Sequence, residues 1–400
     1  MSRPFWDYQA RCSWMLRQGK PVSDVCIYLG DDVPMRIMSH RLPDLPQGYD
    51  FDAFTTDALL HRMTAKDGRI CLPDGVNYRM MILLSEGQLT LQARQQIDLL
   101  RRQGAVIYDP QTDRRTLAEA LRDAGMQPDV EAPRANSLYF CHRRTDTADI
   151  YFLHNHSDQD ITGTFRFNVT ASAAELWNPV TGERTPLPSS NNPNPSSTAL
   201  PHTLHARESY FIIFSDAPRP VACDAIASTK IPTEEVPLTQ PWTVTFDTQM
   251  GGPSETVLMS SPLNWAASDD PRIRYYSGTA VCRSTFRMDN LTRKHKYLLT
   301  LPLLNAAAEV LINGQSAGIV WCSPWETDIT GLLRSGKNTI ELRIANTLWN
   351  RLVGDARLPG AQRTTWQTTP LAKPDDTLVP SGLSAPPTIR ILRSKPSPTR

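Results

Sequence analysis

Between Tyr275 and Asn346 the chain is cut into short alternating runs, a pattern that no helix-built fold can absorb. Tyr275 to Met288 alternates and is rich in Tyr, Thr, Val and Phe, as a strand with one buried face requires. Ala308 to Leu311 leads into Ile312-Asn313-Gly314-Gln315, and Asn-Gly supplies the two positive-φ residues of a tight hairpin turn. Ser316 to Trp321 reads as the returning strand. After SPWETDIT, a Ser-Gly-Lys-Asn turn at 335–338 opens the alternating strand Thr339 to Asn346. Strands this short and this regularly punctuated predict an antiparallel sandwich or jelly roll. We place it at 242–393, with a disordered tail at 394–400.

Upstream the pattern changes twice. Residues 1–20 hold one amphipathic helix, Trp6 to Gln18, with Trp6, Ala10, Trp14 and Met15 on a shared face and Gly19 as its stop. Residues 21–133 read as α/β. Val25–Leu29 and Met80–Leu84 are continuous apolar runs, as expected of buried parallel strands, and Ala105–Tyr108 is a third. Thr56 caps a short helix through Met63, and Thr90 caps another to Gln103 with Ala93, Ile97 and Leu100 inward. Strand, helix, strand, helix, strand implies right-handed crossovers. Residues 134–222 form an antiparallel β-sandwich module, with strands at 138–142, 149–154, 163–169 and 210–214. A WNPVTG turn follows at 177–182 and a flexible SSNNPNPSS loop at 189–197. Ala217 to Pro241 is a Pro-rich connector, its linker proper at 223–241.

The series RYYSGTAVCRSTF, AEVLINGQSAGIVW, PWETDITGLL and GKNTIELRIANTLWNRLVGD resembles the galactose-binding-like sugar-binding domain of family 2 glycoside hydrolases. NTLWNRLVGDARLP and the GYDFD segment are more similar to glycoside hydrolase family 106, the α-L-rhamnosidase group. Residues 21–133 resemble the flavodoxin-like domain that follows the barrel in several glycosidase families. The resemblance covers nearly the whole chain, in order. It implies a large catalytic barrel ahead of this region, with residues 1–20 as a remnant of its end. The expectation is therefore a C-terminal accessory part of a rhamnosidase-like glycoside hydrolase, inactive by itself, that binds carbohydrate and supports a barrel, which a separate gene could encode. Periplasmic or extracellular location follows from the same resemblance.

Charge and cysteines narrow the classes. A formal net charge of +1 gives no field for nucleic acid or an anionic membrane. The longest apolar stretch, Tyr297 to Ile312, is broken by Pro302, Asn305 and Glu309, so no membrane span is expected. The N-terminus carries no signal-peptide pattern. Seven cysteines show no metal or redox spacing, and no GxGxxG or GxxxxGK[ST] appears. No cofactor and no metal are expected. His154 and His156 stand at i, i+2 without a third ligand of recognisable spacing.

Glycoside hydrolysis needs two carboxyl groups bracketing the scissile bond. Asp50 and Asp52 of the GYDFD loop sit too close in sequence for that, and the resemblance puts acid and base on the barrel. No catalytic residue is assigned; the two aspartates are read as wall residues of a sugar site, on a loop at the ligand-facing end of the sheet. Sugar binding needs an aromatic face and planar polar groups for adjacent hydroxyls. Trp325, Trp321, Arg274, Tyr276 and Asn350 are the candidates, with Tyr275, Trp349, Arg351 and Asp355 in reserve. The ligand expected is a rhamnose- or galactose-containing oligosaccharide or plant polysaccharide. The rivals are a complete small glycoside hydrolase using GYDFD, and a purely structural module.

Overall fold

The computed structural model describes residues 1–31, 44–84, 89–187, 197–216, 231–260 and 264–393. The SSNNPNPSS loop, most of the Pro-rich connector and the 394–400 tail fall largely or wholly outside the described residues. Two compact units emerge: Asp7–Ile226, and Met1–Trp6 with Ala227–Arg400. Among the described residues strands predominate and helices are few, and no helix is long and apolar enough to cross a membrane.

In the first unit a four-stranded parallel sheet runs Phe51–Phe54, Val25–Tyr28, Met80–Leu83, Val106–Tyr108. Side chains alternate across a strand. Cys26 and Tyr28 therefore pack with Leu59, Ala93, Ile97 and Leu100 of two helices, Thr56–His61 and Leu91–Arg102, on one face. Val25 and Ile27 pack with Leu117, Ala120 and Leu121 of a third helix, Leu117–Asp123, on the other. Both faces are dry, which is why these strands are apolar without interruption. Thr90 caps its helix as expected, accepting from Ala93 N at 3.3 Å. Thr56 does not cap; Thr55 holds that position and the Thr56 hydroxyl bonds Asp31 instead. One expectation needs correction. Phe51–Phe54 is the edge strand of the sheet, not part of a loop. The 64–78 stretch adds an antiparallel meander of Thr64–Lys66, Arg69–Cys71 and Asn77–Tyr78.

The same unit holds two antiparallel sheets. One orders Lys20–Pro21, Leu138–Arg144, Ala148–Asn155, Ser209–Ser215, Ala173–Trp177 and Arg184–Leu187; the other orders Thr198–Leu204, Ile161–Phe167 and Val130–Glu131. Tyr151, Leu153, Ile212 and Phe214 face the second sheet and form its core with Phe165 and Phe167. Their alternates Ile150, Phe211 and Ile213 face Cys12 and Met15 of the N-terminal helix, Arg3–Leu16. That helix is thus packed against the sheet. Its buried face is Cys12 and Met15 with Tyr8 and Leu16 alongside, while Trp6 and Trp14 stay 63% and 56% exposed. Arg11 locks it further, donating to the carbonyls of Pro179 and Val180 at 3.0 and 2.9 Å.

The second unit packs a six-stranded against a four-stranded antiparallel sheet over one core containing Trp242, Cys282, Phe286, Leu299, Val310, Leu342 and Ile389. The predicted hairpin is present: Ile312 pairs with Gln315 across Asn313 and Gly314, whose φ values are +52° and +79°. The predicted strand at Tyr275 begins later, at Thr279. Pro271 at a helix start and the Asp270 side chain, which accepts from Arg272 N at 2.8 Å, commit Pro271–Arg274 to a short helix first. The end of the expected linker is also strand. Ile231–Pro237 pairs with Thr388–Arg393 at a sheet edge, with a register shift between Pro232 and Glu234. Prolines are tolerated there because an edge leaves some N–H positions unused.

The helix contacts give a direct test. Met15 is buried, so Met15→Ala should lower stability by roughly 2–3 kcal/mol. Trp14→Ala, removing an exposed indole, should stay within about 0.5 kcal/mol. Thermal and urea melts of both variants check the assignment of faces.

Candidate functional site

The N-terminal edge of the parallel sheet is where polar groups collect. Ser23 and Asp24 precede the strand Val25–Tyr28, Asp50 precedes Phe51–Phe54, and Arg79 precedes Met80–Leu83. Local bonds fix these approaches. The Ser23 hydroxyl is 2.7 Å from the Asp50 carbonyl and 2.9 Å from that of Val25. Arg79 N donates to the Asp24 carbonyl at 2.8 Å. Gly48, at φ +85°, accepts from Asp129 N at 2.7 Å, and a Cβ there would lie 2.2 Å from the Val130 carbonyl. Only glycine brings the GYDFD segment this close to Asp129. Tyr49 donates to the Met126 carbonyl at 3.0 Å.

These approaches enclose a cavity of about 700 Å³, lined by carboxylates (Asp24, Asp50, Asp129, Asp146), by Lys20, Arg69 and Arg144, and by Tyr49, Asn77, Gln127 and Asn168. It opens at the strand N-termini, the edge opposite to the one the sequence pattern favours. Burial pushes the Asp50 carboxyl up to about 6, against the Phe51 N–H that it accepts; Asp52 and Asp129 add to the rise and His142 offsets part of it. Burial raises Asp24 as well, against the pull of Arg79, 3.7 Å away. Burial thus works against the charged form of both carboxyls.

Behind the wall stands a group that the motif search missed. His142, 1% exposed, places Nδ1 2.8 Å from Asp129 and Nε2 2.7 Å from Asp149. Its ring stacks on Tyr151 at 3.9 Å between centroids, and the Tyr151 hydroxyl donates to the other Asp129 oxygen at 2.8 Å. Arg144 donates to Asp149 at 2.6 Å. Burial opposes charge on His142, but the two carboxylates outweigh it and its pKa stands above the ordinary value. Burial likewise raises Asp149, and the bonds from His142 and Arg144 outweigh that, leaving it low. A sequence signal existed: His142 shares strand parity with Leu138 and Phe140, so it had to be an inward histidine in need of partners.

Asp52 is not among the cavity's lining residues; it accepts from the Tyr78 hydroxyl at 3.0 Å. His154 and His156 face the carbonyls of Glu208 and Asn136 at 3.2 and 2.9 Å. In the second unit each candidate has its own local partners. Tyr276 lies wholly in the core, donating to the Thr279 carbonyl and accepting from Asp247 N. Asn350 is buried and clamps Val379 through both its carbonyl and backbone N–H, at 2.7 and 2.9 Å. Asp355, buried, gathers the N–H groups of Thr364 and Thr365. Arg274 donates to the Ser268 carbonyl at 2.7 Å, Arg351 to that of Met250 at 2.8 Å, and Trp349 to that of Thr377 at 2.9 Å. The Tyr275 ring lies against Gly354, beneath Arg357. Trp321 meets the Phe5 ring edge-on at 5.6 Å. Trp325 sits at φ +59°, half-buried against the core, its carbonyl accepting from Leu301 N at 2.8 Å.

Asp50 gives a signed pH dependence. Its folded pKa of about 6 exceeds the ordinary 3.8, so the folded chain binds the extra proton and loses stability as pH rises between those values. Asp50→Asn should therefore be more stable than wild type above about pH 6, with the difference vanishing below about pH 4. Thermal melts of both proteins from acid to neutral pH test this.

Comparison with known proteins places the chain. The α-L-rhamnosidase family, glycoside hydrolase family 106, matches residues 1–116 and 111–190. A curated protein of Formosa agariphila that carries a provisional β-glucuronidase name is 26% identical over 247 residues, covering 54% of this chain and 21% of its own length. The solved rhamnosidase from Novosphingobium sp. PP1Y superimposes with a TM-score of 0.72 at 27% identity, over 98% of this chain and 41% of that one. The chain therefore spans about a fifth and about two fifths of these two proteins. With a family match running from the first residue to residue 190, and a rhamnosidase fold matched along nearly its whole length, the chain is similar to the α-L-rhamnosidase family of glycoside hydrolases.

Proposed function

We propose that this chain is the sugar-recognising, barrel-supporting part of a rhamnosidase-type glycoside hydrolase, and that it binds its saccharide in the cavity at the N-terminal edge of the parallel sheet. The observation that carries this reading is a pocket of about 700 Å³ walled by Asp24 and Asp50. That size lies within the range of small-ligand sites. Carboxylates suit vicinal hydroxyls, since each offers two acceptor oxygens to neighbouring O–H donors. Lys20, Arg69 and Arg144 supply further donors around the same opening. The ligand is a rhamnose- or galactose-containing oligosaccharide or plant polysaccharide, met in the periplasm or outside the cell. In this reading the parallel sheet is a flavodoxin-like support and the C-terminal sandwich a galactose-binding-like jelly roll. The chemistry of bond cleavage rests on carboxyls outside these residues.

A second reading keeps the sugar on the C-terminal sandwich. It is favoured by Trp325, an indole on a connection rather than a strand and only half-buried. A stacked indole contributes on the order of 1 kcal/mol, so alone it gives weak binding.

The two readings separate in one titration series. Calorimetry with rhamnose- and galactose-containing oligosaccharides at neutral pH should show binding that Asp50→Ala and Asp24→Ala each weaken about tenfold, the scale of one hydrogen bond to a charged group. Trp325→Ala should leave it unchanged. Loss of binding in Trp325→Ala alone moves the site to the sandwich. Incubation with aryl α-L-rhamnosides should give no turnover; turnover abolished by Asp50→Asn overturns the accessory reading in favour of a small hydrolase.

A further inference from the structure

The cavity wall is braced by a buried histidine whose two ring nitrogens both face carboxylates. A carboxylate only accepts, so two such bonds need two N–H groups, and a neutral imidazole has one. The geometry at 2.8 and 2.7 Å therefore fits the doubly protonated ring. Among the described residues, four elements bring charged or titratable groups to it. Asp129 comes from the segment entering Val130–Glu131, Asp149 and Tyr151 from the neighbouring strand, and Arg144 from its own strand; Asp50, in the cavity lining, interacts with it through charge. Arg143 points away, bonding the carbonyls of Gln18 and Gly19.

Asp129 is the link to the cavity. Its carboxylate is held between His142 and Tyr151, its N–H is bonded to Gly48 beside Tyr49 and Asp50, and its carbonyl accepts from Asn168 N at 2.9 Å. Asp129, Tyr49, Asp50 and Asn168 all line the pocket. We propose that His142 is a proton-dependent brace of the saccharide site: as an imidazolium between Asp129 and Asp149 it fixes the Asp129 wall, and losing one proton frees that wall and weakens the ligand held against it. The ligand half of this inference rests on the reading of the cavity given above; the brace itself does not.

The sign follows from the raised pKa. The stabilisation is fully present below the ordinary histidine value of 6.5 and is lost as pH rises through the higher folded value. Asp50 titrates lower, so its effect is separable.

Two measurements on the whole chain test the brace. Long-range ¹H–¹⁵N spectra of the imidazoles, followed from about pH 5.5 to 9, should show one histidine with both nitrogens protonated after the chain's histidines in urea have become neutral. Its signal is identified by its loss in His142→Gln. A neutral tautomer at that position at about pH 7 overturns the proposal. Calorimetry with a rhamnose-containing oligosaccharide should show affinity falling about tenfold between about pH 7 and 9 in wild type and less than about twofold in His142→Gln. Equal steepness in the two proteins also overturns it. Should His142→Gln fail to fold, Asp149→Asn replaces it, and its spectrum should show the imidazolium lost at lower pH. Absence of binding at every pH sinks the saccharide reading of the cavity, while the imidazole spectrum still decides the brace.

Discussion

The first unit depends on sheets that are dry on both faces. Val25–Tyr28 and Met80–Leu83 expose almost nothing, and Phe211 to Phe214 are all buried. Each strand therefore needs a cover on either side, since an apolar face left wet forgoes about 25 cal/mol per Å². Three short helices cover the parallel sheet. The N-terminal helix covers the antiparallel one with Cys12 and Met15, where Ile150, Phe211 and Ile213 would otherwise meet water. Without that demand a helix displaying two exposed tryptophans would have no evident place.

Faces that are fully apolar leave the strand ends as the place for polar chemistry. Ser23, Asp24, Asp50 and Arg79 all precede the first residue of a parallel strand, and the cavity lies among them. Within this arrangement stands His142, a buried titratable ring that tolerates its position because carboxylates meet both nitrogens. Burying a charge is unfavourable by several kcal/mol unless every partner is present, so such a group is held by a complete network or not at all. Here the network continues through Tyr151 and Arg144, and through Asp129 to the cavity wall.

The second unit shows how similar residue types serve a different end. Tyr276, Asn350 and Asp355 look in sequence like a sugar-binding set, yet each is buried with its polar atoms satisfied by the chain itself. A carboxylate gathering two backbone N–H groups and an amide clamping one residue by both atoms are devices for holding loops that lack regular structure. Sequence cannot distinguish these from ligand contacts, because the same donors and acceptors serve both.

What the sequence determined by itself was local. The Asn313-Gly314 turn, the Thr90 cap and the apolar strands at 25–28 and 80–83 follow from φ preferences, capping and periodicity, which act within a few residues. The family resemblance was legible too, from motifs that survive as strings. Pairings between distant segments were decided only by the tertiary structure. Phe51–Phe54 reads as loop until Val25–Tyr28 supplies its partner, and Ile231–Pro237 reads as linker until Thr388–Arg393 pairs with it. Asp50 was visible as a candidate, but Asp24, Asp129, His142 and Asp149 are scattered over more than a hundred residues. Their union is made by a parallel sheet edge meeting an antiparallel one, and the strength of a carboxylate–imidazolium contact depends on distance and burial, neither of which is written in residue order.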